Sequence, residues 1–246
     1  MSITITMLFL GVVLGFIGAG GSGFIIAILV TIFHVPIHTA LGTAMAVMCL
    51  STLTGSWSHF REGNLNLKQG LKVGFFGGIG AYLGTQLTPF IDSNVLMFFT
   101  VGGLALSGLL LWLRTNLNLE EQNQESELKT MKYMAVGMGN GLISGICGIG
   151  AAPFIQLSLI KWLHFPIRIA VGTTMLVILP IALFASFGFI QNGYLGGALF
   201  LKVASGTIIG TYLGAKLTRK LPRAVLRYGM VLTPITSAIL LLINFL

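Results

Sequence analysis

Eight long apolar segments fill most of this sequence and constrain its fold more than any other feature. Only 8% of the 246 residues are charged, whereas a soluble domain carries roughly a quarter. A helix of about 20 apolar residues can cross a bilayer. The sequence therefore predicts an all-α, multi-pass membrane protein of the cell membrane, with the lipid bilayer as its main partner. The segments cover residues 3–33, 38–60, 69–90, 95–113, 133–163, 168–190, 196–217 and 224–246.

The eight segments form two homologous halves of four segments each. When the sequence is shifted by about 130 residues against itself, roughly 29 of the 78 positions from Gly11 to Thr88 are identical. The polar stretch between the halves holds four glutamates and is typical of a solvated linker. The chain thus divides into a first membrane repeat (1–113), a polar linker (114–132) and a second membrane repeat (133–246).

The first segment of each half differs from the other three. A continuous helix over residues 3–33 would be about 46 Å long, against a hydrocarbon core of about 30 Å. Glycine-rich stretches interrupt both first segments, at residues 18–23 and 148–153. Each first segment therefore either crosses the membrane as a broken helix or enters it and returns as a re-entrant hairpin.

The distribution of positive charge favours the re-entrant hairpin. If the broken segments crossed the membrane, the 14 Lys and Arg residues would divide evenly between its two faces. If they re-enter, every Lys and Arg except Lys202 falls on one face, as expected for the cytoplasmic side. The halves are then inverted repeats, with both termini outside and the linker 114–132 in the cytoplasm.

The two glycine-rich breaks predict a substrate site. Unwound backbone at membrane depth occurs only where protein buries it or where it lines a cavity. Half-helices that begin near Ser22 and Pro153 would direct free N–H groups and a positive dipole end toward that cavity, which favours an anion. The predicted substrate-binding residues are Gly20, Gly21, Ser22, Gly23, Thr43, Gly150, Ala151, Ala152, Gln156 and Thr173.

Ordinary structural roles compete with a binding role at several positions. Glycines often serve close helix packing, and hydroxyls in apolar helices most often bond within or between helices. His34 and His164 precede prolines in short turns, which favours a local structural role. Lys72 and Lys202 lie near segment starts, where long side chains reach the interface.

Other kinds of chemistry find little support in the sequence. No carboxylate is securely placed within a segment, so a carboxylate proton relay is disfavoured. The chain has no nucleophile–base set, metal-ligand cluster or phosphate-binding loop. We therefore predict neither an enzyme nor a cofactor or metal site, and no nucleic-acid partner.

The ordered motifs resemble those of the sulfite exporter TauE/SafE family of anion permeases over nearly the whole chain. The resemblance rests on the early run from Gly15 to Gly21, the duplicated Gly42-Thr43 and Gly172-Thr173 segments, and Tyr212-Leu213-Gly214 at the end of a glycine-rich helix. It implies a permease for sulfite, an organosulfonate or a small carboxylate.

A secondary transporter with a midplane site between the two breaks is the function that the sequence favours. The alternatives are an anion channel built on the same cavity, and a membrane-embedded enzyme or assembly subunit without transport. A homo-oligomer is compatible with all of them.

Overall fold

The computed structural model describes residues 2–17, 21–116, 130–218 and 223–245. These residues form ten α-helices and one short 3₁₀ turn at Thr88–Phe90, and no strand occurs among them. The expectation of an all-α fold is confirmed. The helices are α1 (Ile3–Ile17), α2 (Ser22–Thr31), α3 (Ile37–Arg61), α4 (Leu67–Leu87), α5 (Ser93–Asn116), α6 (Thr130–Cys147), α7 (Ala152–Lys161), α8 (Ile167–Gln191), α9 (Gly197–Thr218) and α10 (Arg223–Phe245).

Four helices in the described ranges are long and apolar enough to cross a membrane. The sequence predicted six single crossings, and α4 is one of those that do not meet this criterion. Glycines at six positions and a polar first turn lower the hydropathy of α4, although its 21 residues are long enough. The four helices contain the spans Ile37–Arg61, Ser93–Leu113, Ile169–Gln191 and Gly197–Gly214.

Both first segments are interrupted where the glycine-rich stretches lie. The non-helical Gly21 precedes α2, which begins at Ser22, while α6 ends at Cys147 and α7 begins at Ala152. In the second break, Gly148 and Ala151 have positive φ angles of 63° and 46°. Such left-handed conformations end a helix and change the direction of the chain. Each first segment is therefore a pair of shorter helices.

The halves pack on each other through equivalent glycines. Gly11 of α1 lies against the Thr207 carbonyl of α9, and Gly141 of α6 lies against the Gly77 carbonyl of α4. These residues correspond to one another under the 130-residue shift. Because glycine has no Cβ, the two backbones approach closely. Each half thus packs its first helix against the third segment of the other half, which is α9 for α1 and α4 for α6.

The order of contacts gives the relative directions of the packed helices. Thr4 lies against Gly206 and Leu8 against Gly210, so α1 and α9 run parallel. The same ascending order joins α6 to α4 and α4 to α8. Three pairs of helices are therefore parallel, although none of the paired helices are neighbours in the chain.

The equivalent helices α3 and α8 run in opposite directions. Gly42, near the start of α3, lies against Phe189 near the end of α8. Conversely, Gly172 near the start of α8 lies against His59 near the end of α3. The two second segments, α3 and α8, are therefore antiparallel.

The duplicated Gly-Thr motifs lie at these crossings. A Cβ atom on Gly42 would meet the Tyr194 carbonyl oxygen, and one on Gly172 would meet the Asn64 carbonyl oxygen. Asn64 follows α3 and Tyr194 follows α8. Each glycine therefore admits the loop that follows the equivalent helix of the other half.

His34 and His164 form the turns after α2 and α7. Their φ angles of 49° and 55° are left-handed. The following amides then fold back on the helix ends, with Val35 N–H donating to the Leu29 carbonyl at 2.9 Å and Phe165 N–H donating to the Leu159 carbonyl at 3.0 Å. This geometry matches the local structural role expected for both histidines.

Candidate functional site

A cavity of about 330 Å³ lies where the two breaks meet. Its floor is formed by Gly21–Phe24 of the first break and by residues 149–153 of the second. Its walls come from α5, α7, α8 and α10. The wall residues are Leu104, Ser107, Leu111, Gln156, Val171, Thr174, Met175, Thr233, Pro234 and Ser237.

One hydrogen bond joins the two breaks directly. The Gly150 N–H donates to Ser22 Oγ at 3.1 Å, and Ser22 is only 3% exposed. These residues belong to opposite halves of the chain and come from the two glycine-rich stretches. The bond uses a lone pair of the Ser22 hydroxyl and leaves its proton available to a further acceptor.

The N-termini of α2 and α7 both open into this cavity without a side-chain cap. Gly21 and Ala151 occupy the N-cap positions, and neither supplies a side-chain hydrogen bond. Phe24 and Ile25 N–H groups donate to the Gly21 carbonyl, and Ile155 N–H donates to the Ala151 carbonyl. The first amides of each helix are the donors that normally remain for a cap or a ligand.

Pro153 is the second residue of α7 and lines the cavity. Proline is well tolerated in the first turn of a helix because it lacks an N–H that would need a partner there. Ala151, which precedes α7, takes the left-handed conformation that a glycine adopts more readily. The residue before α7 is thus left-handed, whereas Gly21 before α2 has a φ of −25°.

Most wall hydroxyls already donate within their own helices. Thr174 donates to the Ala170 carbonyl at 2.7 Å, Thr233 to the Gly229 carbonyl at 2.6 Å, and Ser237 to the Thr233 carbonyl at 2.7 Å. These side chains present lone pairs to the cavity in this state. They suit water or a donor group better than an anion.

Ser107 differs from the other wall hydroxyls. It is 4% exposed and lines the cavity, and within the described ranges its hydroxyl has no hydrogen-bond partner. Ser107 and Ser237 are also equivalent under the 130-residue shift, so the two fourth segments bring paired serines to one cavity.

The cavity carries no formal charge on the side chains that line it. The lining contains no Lys, Arg, Asp or Glu among the described residues. No group of three or more His, Cys, Asp or Glu residues that could hold a metal occurs in that part of the chain either. The electrostatic character of the site therefore comes from helix ends, amides and hydroxyls.

The structure gathers seven of the ten sequence-predicted site residues around the cavity. They are Gly21, Ser22, Gly23, Gly150, Ala151, Ala152 and Gln156. Gly20 lies outside the described residues.

Thr43 and Thr173 do not line the cavity. Both are fully buried. Thr43 Oγ1 donates to the Thr39 carbonyl at 2.7 Å within α3, and Thr173 Oγ1 accepts from the Asn66 N–H at 3.1 Å. The Thr173 hydroxyl therefore joins α8 to the loop after α3, and the Thr43 hydroxyl bonds within its own helix. The wall hydroxyl in this region belongs to the next residue, Thr174.

Sequence reasoning did not identify the polar wall residues of the fourth segments, Ser107, Thr233 and Ser237. These segments have no glycine-rich break that would mark them in the sequence. When the 130-residue shift is applied to α5 and α10, Ser107 pairs with Ser237. This repeated serine is the sequence feature that points to both residues.

The chain is similar to known proteins along nearly its whole length. Residues 3–241 match the family described as sulfite exporter TauE/SafE. "Probable membrane transporter protein YdhB" of Bacillus subtilis (strain 168) is 46% identical over 244 residues, which are 98% of this chain and 100% of that protein. "Probable membrane transporter protein MJ0441" of Methanocaldococcus jannaschii is 23% identical over 241 residues, covering 90% of this chain and 88% of that protein. No solved structure matches the chain.

Proposed function

Because the chain belongs to the sulfite exporter TauE/SafE family of membrane transporters, we propose that it is a secondary transporter whose substrate, a small anion, binds between the two breaks. Sulfite and organosulfonates are the substrates that the family description favours. The observation that carries the proposal is that two uncapped helix N-termini from opposite halves meet at one cavity. Such ends attract negative charge.

The transport topology that we propose has two inverted repeats, residues 1–113 and 133–246, each starting with a re-entrant hairpin. Helix directions support this topology. α4 is parallel to both α6 and α8, so α6 and α8 enter the membrane from the same face and α7 returns to it. In the other half, α1 is parallel to α9, which returns from α8 and so runs in the direction of α3.

In this topology the linker 114–132 lies in the cytoplasm and both termini lie outside. The side of the membrane toward which the cavity extends then follows from the ends of α5 and α8. The N-terminal end of α8 and the C-terminal end of α5 would face the cytoplasm. The lining residues extend toward those ends, to Val171 on α8 and Leu111 on α5. The described state would therefore admit its substrate from the cytoplasmic side, and rocking of one repeat against the other would expose the site outside.

The flux of labelled sulfite and small organosulfonates into proteoliposomes tests the proposal. We expect saturable uptake that Gly150→Leu reduces at least tenfold, because the new side chain would collide with Met48 and displace the second break, which lines the cavity. Gly139→Leu is the matched control, since Gly139 is exposed and nothing lies within 4 Å of its missing Cβ. Undiminished flux in Gly150→Leu, or no flux of any small anion in the wild type, would contradict the proposal.

An anion channel would use the same cavity. A channel lets substrate pass without a conformational cycle, whereas a transporter exchanges labelled for unlabelled substrate across the membrane and saturates at low rates. Counterflow in the same proteoliposomes therefore separates the two functions. We expect counterflow, and a linear, non-saturating current would favour the channel.

A further inference from the structure

Three hydroxyls in the cavity wall have no proton to offer a ligand. Thr174 of α8 donates to the Ala170 carbonyl at 2.7 Å. Thr233 and Ser237 of α10 likewise donate to carbonyls of residues four positions earlier in their own helix. All three residues line the cavity. Because a hydroxyl that has donated its single proton keeps only acceptor lone pairs, these side chains can accept hydrogen bonds from a ligand but do not supply them.

Donors for an anion come from other residues of the lining. The Ser107 hydroxyl makes no hydrogen bond within the described ranges, and Ser107 lines the cavity. The Ser22 hydroxyl accepts a bond from the Gly150 N–H and keeps its own proton. The first amides of α2 and α7 add backbone donors, because neither helix has a side-chain cap. The cavity thus presents both donors and acceptors to a ligand.

A fully deprotonated oxyanion matches only the donors of this cavity. Its oxygens carry lone pairs and no proton, so they accept hydrogen bonds but cannot donate one. Such an oxygen beside Thr174 or Thr233 would face another lone pair. A ligand that pairs with the acceptors as well as the donors therefore needs an O–H group of its own.

The charge of the lining sets a second requirement on the ligand. No Lys, Arg, Asp or Glu side chain of the described residues lines the cavity. The N-terminus of a helix is equivalent to roughly half a positive elementary charge, so the two helix ends together balance about one negative charge. A second negative charge would remain unpaired among buried side chains, which is strongly disfavoured. The lining therefore suits a monoanion better than a dianion.

We propose that the site selects the singly protonated form of a divalent oxyanion. This form has one negative charge and one O–H group, so it meets both requirements. Its O–H group donates to Thr174 or Thr233, and its other oxygens accept bonds from Ser107 and from the two breaks. The inference rests on the proposed function and specifies the protonation state of its substrate, which for sulfite is hydrogen sulfite.

Selection of the protonated form has a consequence for coupling. Each substrate that crosses the membrane carries one proton with it. Coupling to a proton gradient then requires no titratable side chain at the site. This agrees with a sequence that places no carboxylate securely within an apolar segment. The substrate itself serves as the proton carrier.

Methylphosphonate and methanesulfonate are a matched pair of probes for this inference, because the two anions have nearly the same shape. A phosphoryl group loses its second proton near neutral pH, so methylphosphonate is a protonated monoanion at about pH 5 and a dianion at about pH 9. Methanesulfonate is a monoanion without an O–H group under both conditions. Binding of each probe, and of sulfite, is measured with the full-length protein in lipid nanodiscs at both pH values.

We expect methylphosphonate to bind about fivefold more tightly than methanesulfonate in the acidic condition, because it makes one further hydrogen bond. Its Kd should rise by about tenfold or more in the basic condition, where it has lost the O–H group and gained a charge. The Kd of sulfite should change in the same direction, whereas the Kd of methanesulfonate should stay nearly constant. An equal rise for methanesulfonate would assign the pH effect to groups of the protein and would overturn the inference.

A double threonine variant locates the acceptors. Thr174→Val combined with Thr233→Val keeps the shape of the wall and removes both hydroxyl oxygens, so the two probes should bind equally in the acidic condition. Thr207→Val is the matched control, because Thr207 is a buried threonine of α9 that donates to the Val203 carbonyl and does not line the cavity. This control should keep the preference for methylphosphonate.

The remaining outcomes separate this inference from the proposed function. If methanesulfonate binds as tightly as methylphosphonate in the acidic condition, if the dianion binds best, or if the double variant keeps the preference, the inference fails while the anion-transporter proposal stands. If neither probe nor sulfite binds or is transported at either pH, the proposed function itself fails.

Discussion

Adjacent residues can have entirely different roles when a helix lies between a cavity and a helix crossing. Thr173 and Thr174 are neighbours on α8 and both are buried. Thr174 lines the cavity, whereas Thr173 accepts a hydrogen bond from the Asn66 backbone in the loop after α3. The helical rotation of about 100° per residue directs them to different neighbours.

Thr173→Val should lower stability without changing anion affinity. The substitution leaves the Asn66 N–H without its acceptor at a part-buried position, which costs about 1–3 kcal/mol. A thermal unfolding scan of the detergent-solubilised protein should show a lower Tm, and Thr173→Ser should restore most of it. A large loss of affinity in folded Thr173→Val would instead give this hydroxyl a role in binding.

The sequence predicts the floor of the site better than its walls, and the reason is physical. Glycine-rich stretches that interrupt an apolar segment have few alternatives to lining a cavity, so Gly21, Ser22 and Gly150 could be found. A lone hydroxyl such as Ser107 looks the same in sequence whether it faces a cavity or its own helix. The Gly42-Thr43 motif does mark a structural feature. That feature is a loop carbonyl packed against the glycine, and it is not part of the cavity lining.

At the scale of helices, the glycines of the first and third segments determine which pairs pack closely. α1 lies on α9 and α6 on α4, with carbonyl oxygens seated on glycines. The sequence indicated only that glycines in such segments often serve close helix packing. The sequence could not identify the partner helices, because a glycine allows a close approach of two backbones but does not determine which helix approaches it.

Gly141→Ala should destabilise the α4–α6 pair. Its Cβ would collide with the Gly77 carbonyl oxygen, which belongs to a packed backbone and cannot move aside easily. Overpacking of this kind typically costs about 1–3 kcal/mol, so we expect a Tm lowered by several degrees. Gly139→Ala, on an open face of the same helix, is the control and should unfold like the wild type. Equal Tm values for both variants would show that the α4–α6 interface can spread apart.

At the scale of the whole molecule, the two halves have the same order of segments but different residues at equivalent helix interfaces. α4 presents Gly70, Gly74 and Gly77 to α8. The equivalent positions of α9 hold Phe200, Ala204 and Thr207. The α4–α8 contact can therefore be closer than its counterpart between α9 and α3.

The inverted topology makes a prediction that distinguishes it from a topology in which the broken segments cross. Ile32 and Trp162 occupy equivalent positions after α2 and α7, and both are exposed. If the first segments re-enter, these two residues lie on opposite faces of the membrane. If the first segments cross, both residues lie on the same face.

Single cysteines at these positions can be labelled in intact cells with a membrane-impermeant maleimide. The background carries Cys49→Ala and Cys147→Ala, which removes both native thiols. Ile32→Cys should react from outside, whereas Trp162→Cys should react only after the cells are opened, because positive charge keeps its loop in the cytoplasm. Labelling of both from the same side would require each broken segment to span the bilayer, and the parallel directions of α6 and α8, which both pack on α4, would then need another explanation.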